Sequence, residues 1–241
     1  MSEALPTVAP PASGQEPAID LDLARVSVRE LNLDLQARES GRVRVHSPAG
    51  RHNLAVGLRG AVRVEILGHA GYYCAGMNEH AHVRIEGNAG VGVAENMMSG
   101  RVEVSHGASQ SAGASAHGGL LVVHGDAAAR AAISLKGADV VVRGSVGHLA
   151  AFMGQSGRLV VCGDAGEALG DSLYEATLFI RGSVAGLGAD CVEKEMRPAH
   201  VAELADLLEA ASIDDVSAED FRRYGSARTL YHFNSEHAGH Y

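Results

Sequence analysis

The chain has 241 residues, 30 of them glycine; 46% are hydrophobic, yet only 4% are aromatic and none is tryptophan. A net charge of -9, with two lysines (Lys136 and Lys194) and no basic run, argues against nucleic acid as a partner. No apolar stretch approaches the roughly 20 residues of a membrane span, and Met1-Ser2-Glu3-Ala4 does not open a signal peptide. Three scattered cysteines, Cys74, Cys162 and Cys191, form no CxxC pair, which suits a reducing cytoplasm.

Residues 1–18 are Pro-, Ala- and Ser-rich without periodicity and read as a disordered tail. An arm over residues 19–41 follows, in which Ser27-Val28-Arg29-Glu30 fits a capping box opening a short helix through Leu31 and Leu35. Residues 42–191 form the main domain. Arg42-Val43-Arg44-Val45 reads as an imperfect first coil, and from Ile66 a step of nineteen meets Ile85, Val104, Val123, Val142, Val161 and Ile180. Two residues earlier the same walk reads Val64, Val83, Val102, Leu121, Val140, Leu159 and Leu178. Glycine follows each run at Gly68, Gly87, Gly125, Gly144, Gly163 and Gly182, with His106-Gly107 as a slipped copy. A column of small residues runs Ala75, Ala94, Gly113, Ala132, Ala151, Gly170 and Ala189. A unit this short and glycine-rich cannot be a helix pair. The expected fold is all-β: a right-handed, single-stranded parallel β-helix of about seven nineteen-residue coils, with short flanking helices at both ends.

Between the two inward columns an outward one reads Glu65, Arg84, Glu103, Val122, Val141, Val160, Phe179. Charges suit a solvated face; Val-Val-Val-Phe does not. Coils four to seven are therefore expected to be covered, by the chain's own C-terminal helix or by a partner, the alternative being plain β-propensity on an exposed strand. Residues 192–241 supply the last pieces. Pro198 precedes a helical stripe of Val201, Leu204, Ala205, Leu208 and Ala211, and Ser217-Ala218-Glu219-Asp220 is expected to cap a second helix ended by Gly225. The tail from Thr229 holds Tyr231, Phe233 and Tyr241, which fit partner contact or self-docking.

Chemistry is sparse. His80 and His82, two apart, would share a strand face with His69 nearby, but no Cys or carboxylate completes a ligand set. His106 and His124 read as solvated imidazoles near strand ends. Asp164, Asp171 and Asp190 fall on different parts of their coils. There is no dinucleotide loop, Walker motif or GxSxG elbow. No residue is assigned a catalytic, cofactor-binding or metal-ligating role. An independent hexapeptide acyltransferase, built of six-residue units, does not fit a period of nineteen.

Gly163-Asp164-Ala165-Gly166-Glu167-Ala168-Leu169-Gly170, echoed by Gly144-Ser145-Val146-Gly147, resembles the GxxGxxxG repeat of the C-terminal β-helix (GXGXG) domain of the glutamate synthase large subunit. The flanks, Ser27 to Leu35 and Phe221-Arg222-Arg223-Tyr224-Gly225 through Asn234, resemble most the stand-alone β-helix subunit of N-methylglutamate synthase (methylamine–glutamate N-methyltransferase). That resemblance implies a non-catalytic subunit of a cytoplasmic hetero-oligomer. Its partners would be a glutamine-amidotransferase-like subunit and a glutamate synthase FMN-domain-like subunit carrying FMN and an iron–sulfur cluster. The complex would convert methylamine and L-glutamate to N-methyl-L-glutamate and ammonia, with this chain bracing the partners and shielding amine transfer between them. The same repeat family includes the β-helix scaffold of formylmethanofuran dehydrogenase-like formyltransferase/hydrolase complexes, which is the alternative role.

Overall fold

The computed structural model describes residues 17–229. Most of the N-terminal tail, and the aromatic residues Tyr231, Phe233 and Tyr241, lie outside the described residues.

The strands are short because each coil returns to its start after nineteen residues. In chain order the elements are β1 (Ile19–Asp22), α1 (Val28–Gln36), β2 (Ser40–His46), β3 (Ala61–Ile66), β4 (His82–Ile85), β5 (Arg101–Val104) and β6 (Leu120–Val123). They continue with β7 (Lys136–Val142), β8 (Ser156–Val161), β9 (Thr177–Ile180), β10 (Cys191–Lys194), α2 (Pro198–Ala210), a 3-10 turn over Ala218–Asp220 and β11 (Arg222–Ser226). From β1 to β9 the strands pair in parallel in sequence order. The register is that of the nineteen-residue walk: Val64, Val83, Val102, Leu121, Val140, Leu159 and Leu178 stand in one column, and Ile66 through Ile180 in the next. All of them are buried. Coil one comprises residues 62–80, and each later coil lies nineteen further on.

The stack reaches back past coil one. Val43 and Val45 face Val64 and Ile66 at a spacing of 21, so the imperfect coil is a true rung. One more rung, β1, pairs Ile19 with Val43 at a spacing of 24. Both spacings leave the repeat, which is why the walk along the sequence does not reach β1. Ser27 caps α1 as expected: its hydroxyl accepts from the Glu30 amide at 3.2 Å, and the Ser27 amide donates to Glu30 Oε2 at 2.8 Å. Leu31 and Leu35 are buried in the solenoid core, and Asn32 and Gln36 donate to the carbonyls of Asn53 and Val56.

A second ladder runs along the rod, one residue per coil, through Ala70, Ala89, Ala108, Ala127, Val146, Ala165 and Val184. Further round each coil, Ala75, Ala94, Ala132 and Ala151 adopt left-handed backbone with φ of 55–57°, where Gly113 and Gly170 stand at 68° and 63°. Left-handed backbone costs a residue with a Cβ roughly 1–2 kcal/mol, and the site is buried. Tyr73, Met77 and Leu149 share that backbone with large side chains, so burial is what confines this column to Ala and Gly; Ala189, at its far end, is exposed.

The C-terminal end departs from expectation in two ways. The segment after Ser217 makes only a three-residue 3-10 turn, and Gly225 does not end a helix: it lies inside β11. That strand runs antiparallel between β9 and β10, placing Tyr224 opposite Leu178 and Val192 opposite Gly225. The open edge of the last parallel strand offered backbone partners that no local signal announces.

Candidate functional site

The outer face of the sheet is divided in two, and the division follows the side chains. Val122, Val141, Val160 and Phe179 are fully buried beneath Leu204, Leu207 and Leu208 of α2 and its C-cap Ala211, with Ile213 and Phe221 completing a second apolar core. The cover expected for coils four to seven is therefore the chain's own helix. Its apolar stripe is turned from the expected one: Ala205 is exposed and Leu207 is buried. Two four-residue stripes compete in this helix, and the larger side chain wins the interior.

Polar anchors fix α2 along its length. Arg158 grips Asp139 with two bonds, Nε–Oδ1 at 2.6 Å and Nη2–Oδ2 at 2.7 Å, and reaches Glu203 of α2 at 2.6 Å. Arg143 meets Asp215 at 2.6 Å. Arg101 Nη1 donates to the carbonyl of Ala210 at 2.5 Å, at the C-terminal end of α2 where the helix dipole favours a cation.

The seam between the covered and open halves runs through Glu103. Its carboxylate is buried, 6% exposed, and accepts from His82 Nε2 at 3.1 Å, Arg84 Nη1 at 3.2 Å and Arg101 Nε. Burial pushes the carboxyl up, but the bonds from His82 and Arg101 outweigh it and hold it at about 2. A carboxylate so held stays ionised at neutral pH and is a poor proton carrier. Burial also lowers neighbouring His124. This outward imidazole is only half-buried, so the solvated reading at strand ends needs that qualification.

The scattered histidines and aspartates have structural employment. At the corner after five of the six strands from β3 to β8 a polar side chain accepts the backbone N–H of the residue nineteen further on; after β5 the position is Gly107. His69 Nδ1 accepts from Asn88, Asn88 Oδ1 from Gly107, Asp126 from Ser145, Ser145 Oγ from Asp164, and Asp164 from Ser183, at 2.7–3.0 Å. Hydrophobic periodicity is blind to this column, because His, Asn, Asp and Ser share only the capacity to accept. His80 precedes β4, so it does not share a strand face with His82; its Nδ1 lies 3.3 Å from Ser99 Oγ. Asp190, in left-handed backbone, ties the C-terminal segment down: it accepts from Ser226 Oγ at 2.5 Å, from the amides of Arg228 and Thr229, and from the Thr229 hydroxyl. Those bonds hold its carboxyl at about 2. Among the described residues, no three His, Cys, Asp or Glu side chains gather as metal ligands.

The three cysteines are unbonded and buried in different parts of the rod. Burial raises the Cys74 thiol to about 12, and Cys162 and Cys191 to about 11. Such thiols stay protonated at neutral pH and are poor nucleophiles. Ellman's reagent is expected to leave all three unmodified in the native protein over the time in which it titrates three per chain in guanidinium; rapid labelling of any one would refute its burial.

Two concave places on the surface of the described residues are shallow. One lies beside the C-terminal end of α2 between Leu208, Ile213 and Val216, and another lies between Gln36, Arg59 and His80. Neither brings together a nucleophile, a base and an oxyanion donor. Among the described residues the coils stack into one continuous rod. Among the described residues, no helix is long and apolar enough to cross a membrane.

No protein-family model matches the chain. It is 57% identical over 225 residues to Protein GlxC of Rhizobium meliloti (strain 1021), an alignment taking in 92% of this chain and 99% of that protein.

Proposed function

The chain belongs to the family of Protein GlxC, and on that footing we propose that it is the non-catalytic β-helix subunit of a cytoplasmic glutamate synthase-like complex, of the N-methylglutamate synthase type. In this reading the rod separates and braces an amidotransferase-like subunit and an FMN-domain-like subunit. The complex exchanges the amino group of L-glutamate for methylamine, giving N-methyl-L-glutamate and ammonia. FMN and an iron–sulfur cluster belong to the partner; the three thiols of this chain, each buried in a separate place, do not fit a cluster.

The observation that carries the reading is the uninterrupted stack. Six successive strand pairings keep a nineteen-residue register from β3 to β9, with one local shift between Lys136 and Asp139, and the GxxGxxxG strings sit at the coil corners. A rod in which each coil touches only its neighbours transmits a fixed length. Holding two sites at a fixed separation helps keep water out of the path between them.

The test is affinity purification of the tagged full-length chain from its native cells. Two larger subunits are expected to co-purify, one of them flavin-bearing, and N-methylglutamate is expected to form from methylamine and glutamate only when all three are present. Recovery with a molybdenum-enzyme-like subunit would transfer the chain to the formyltransferase class. Recovery with no larger subunit would end the scaffold reading.

A further inference from the structure

The sheet side of the rod carries α2, and the alanine ladder carries the polar corner column. The remaining side, residues 72–80 of coil one and their equivalents, is where the long exposed apolar side chains gather. Tyr72 is 56% exposed, Met77 46%, Met98 47% and Met153 44%. Soluble surfaces seldom leave so many large apolar groups on one side without an occupant.

Two features along this side are related about coil three, a pair of methionines and a set of opposite charges. Met77 of coil one and Met153 of coil five hold the same position, 76 residues or four coils apart, in the same left-handed backbone with φ of 53° and 54°. Coil three, midway between them, carries Ser115 at the same position and Ser111 beside it, with Gln110 and His117 exposed at the two edges of this side. The charges on either side of coil three are opposite in sign. Glu95 stands in coil two. The residue at its position in coil four is half-buried Ile133, flanked three residues away on each side by exposed Arg130 and Lys136. Glu95, Arg130 and Lys136 have no ion-pair partner among the described residues, whereas Glu65, Glu86 and Glu103 of the sheet face are all paired.

We propose that this side is an isologous contact between two copies of the chain, lying antiparallel about a two-fold axis through coil three. Rotation about such an axis in the contact plane brings coil two of one copy against coil four of the other, and coil one against coil five. Glu95 of each copy then sits between Arg130 and Lys136 of the other, about one 4.8 Å rung from the axis. Met77 meets Met153 twice, and Ser111, Ser115, Gln110 and His117 of coil three lie along the axis, where each copy meets its own equivalents. Parallel rods would set Glu95 against Glu95, so charge selects the antiparallel arrangement.

Sedimentation equilibrium of the purified full-length chain tests this. A species of twice the 25.0 kDa chain mass is expected at micromolar concentration. Glu95→Arg alone, or Arg130→Glu with Lys136→Glu, is expected to weaken dimerisation by about tenfold or more, because like charges then face each other. The three substitutions combined restore the complementarity and are expected to restore the dimer, while circular dichroism and thermal midpoints stay unchanged because all three residues lie on the surface. Three results overturn the proposal: a monomer throughout the concentration range, a dimer indifferent to the reversals, or a triple variant no better than the single reversal. The outcome is independent of the proposed complex. A chain that dimerises as described but recovers no larger subunit keeps this inference and loses the scaffold function.

Discussion

Replacing Phe179 with alanine is expected to lower the free energy of unfolding by about 3–5 kcal/mol. Phe179 is the largest fully buried side chain of the structure. It fills the strip between the last parallel strand and α2, beside Leu204, Leu208 and Phe221. Removing the ring leaves a void that a helix held by Arg158, Arg143 and Arg101 is poorly placed to close. The damage should be local, because stacked coils communicate with their neighbours alone. Hydrogen exchange should therefore quicken in β8, β9 and β11 while β3 to β5 keep their protection. A denaturant midpoint corresponding to a loss below about 1 kcal/mol would mean that α2 does not bear on the sheet as described. Leu204→Asp is the harsher version: it should detach α2, uncover Val122, Val141 and Val160, and show as dye binding and aggregation.

The second large effect concerns Glu103. Glu103→Gln preserves shape but removes the anion shared by His82, Arg84 and Arg101. At neutral pH the cost should be about 2–3 kcal/mol, below the full penalty for breaking a buried pair because Arg84 and His82 retain water. The pH dependence identifies the cause. The folded carboxyl lies at about 2, below the ordinary value of about 4.3 in the unfolded chain. Its contribution is thus complete above about pH 4.3 and is lost as pH falls toward 2, where the folded state too takes up the proton. The gap between native protein and variant should narrow across that window and close near pH 2. A gap that stays constant down to pH 2 would assign the effect to packing instead of charge.

Much of this molecule is legible in its sequence because a solenoid repeats its instructions. Ile66, Ile85 and Val104 stack because the same local pattern recurs at a fixed step. The switch from Glu103 to Val122 in the outward column marks where cover begins, and the cover is there. Other features leave weaker traces. The corner column of His69, Asn88, Asp126, Ser145 and Asp164 follows the same step with one break at Gly107, but its members share a hydrogen-bonding capacity and not a hydropathy, so an apolar walk steps over it. The stripe of α2 is ambiguous between Ala205 and Leu207 until the sheet beneath it chooses the larger. For β11, Gly225 carries a helix-ending signal, and only the free edge of β9 makes a strand of Arg222–Ser226.

The amino-acid order by itself determined the coil: its length, its inward columns, the columns closed to large side chains, and the half of the sheet face that needs a lid. Each of these follows from alternation along a strand and a constant step between strands, which are local quantities. Tertiary structure decided the rest: the extra rung β1, the antiparallel insertion of β11, the rotation of α2 and the anchoring of Glu103 at the seam. Those rest on unique pairings such as Arg101 with Ala210 and Arg143 with Asp215, which are made once. A contact that never recurs leaves no period to read, and it forms only when the rest of the chain has brought its two halves together.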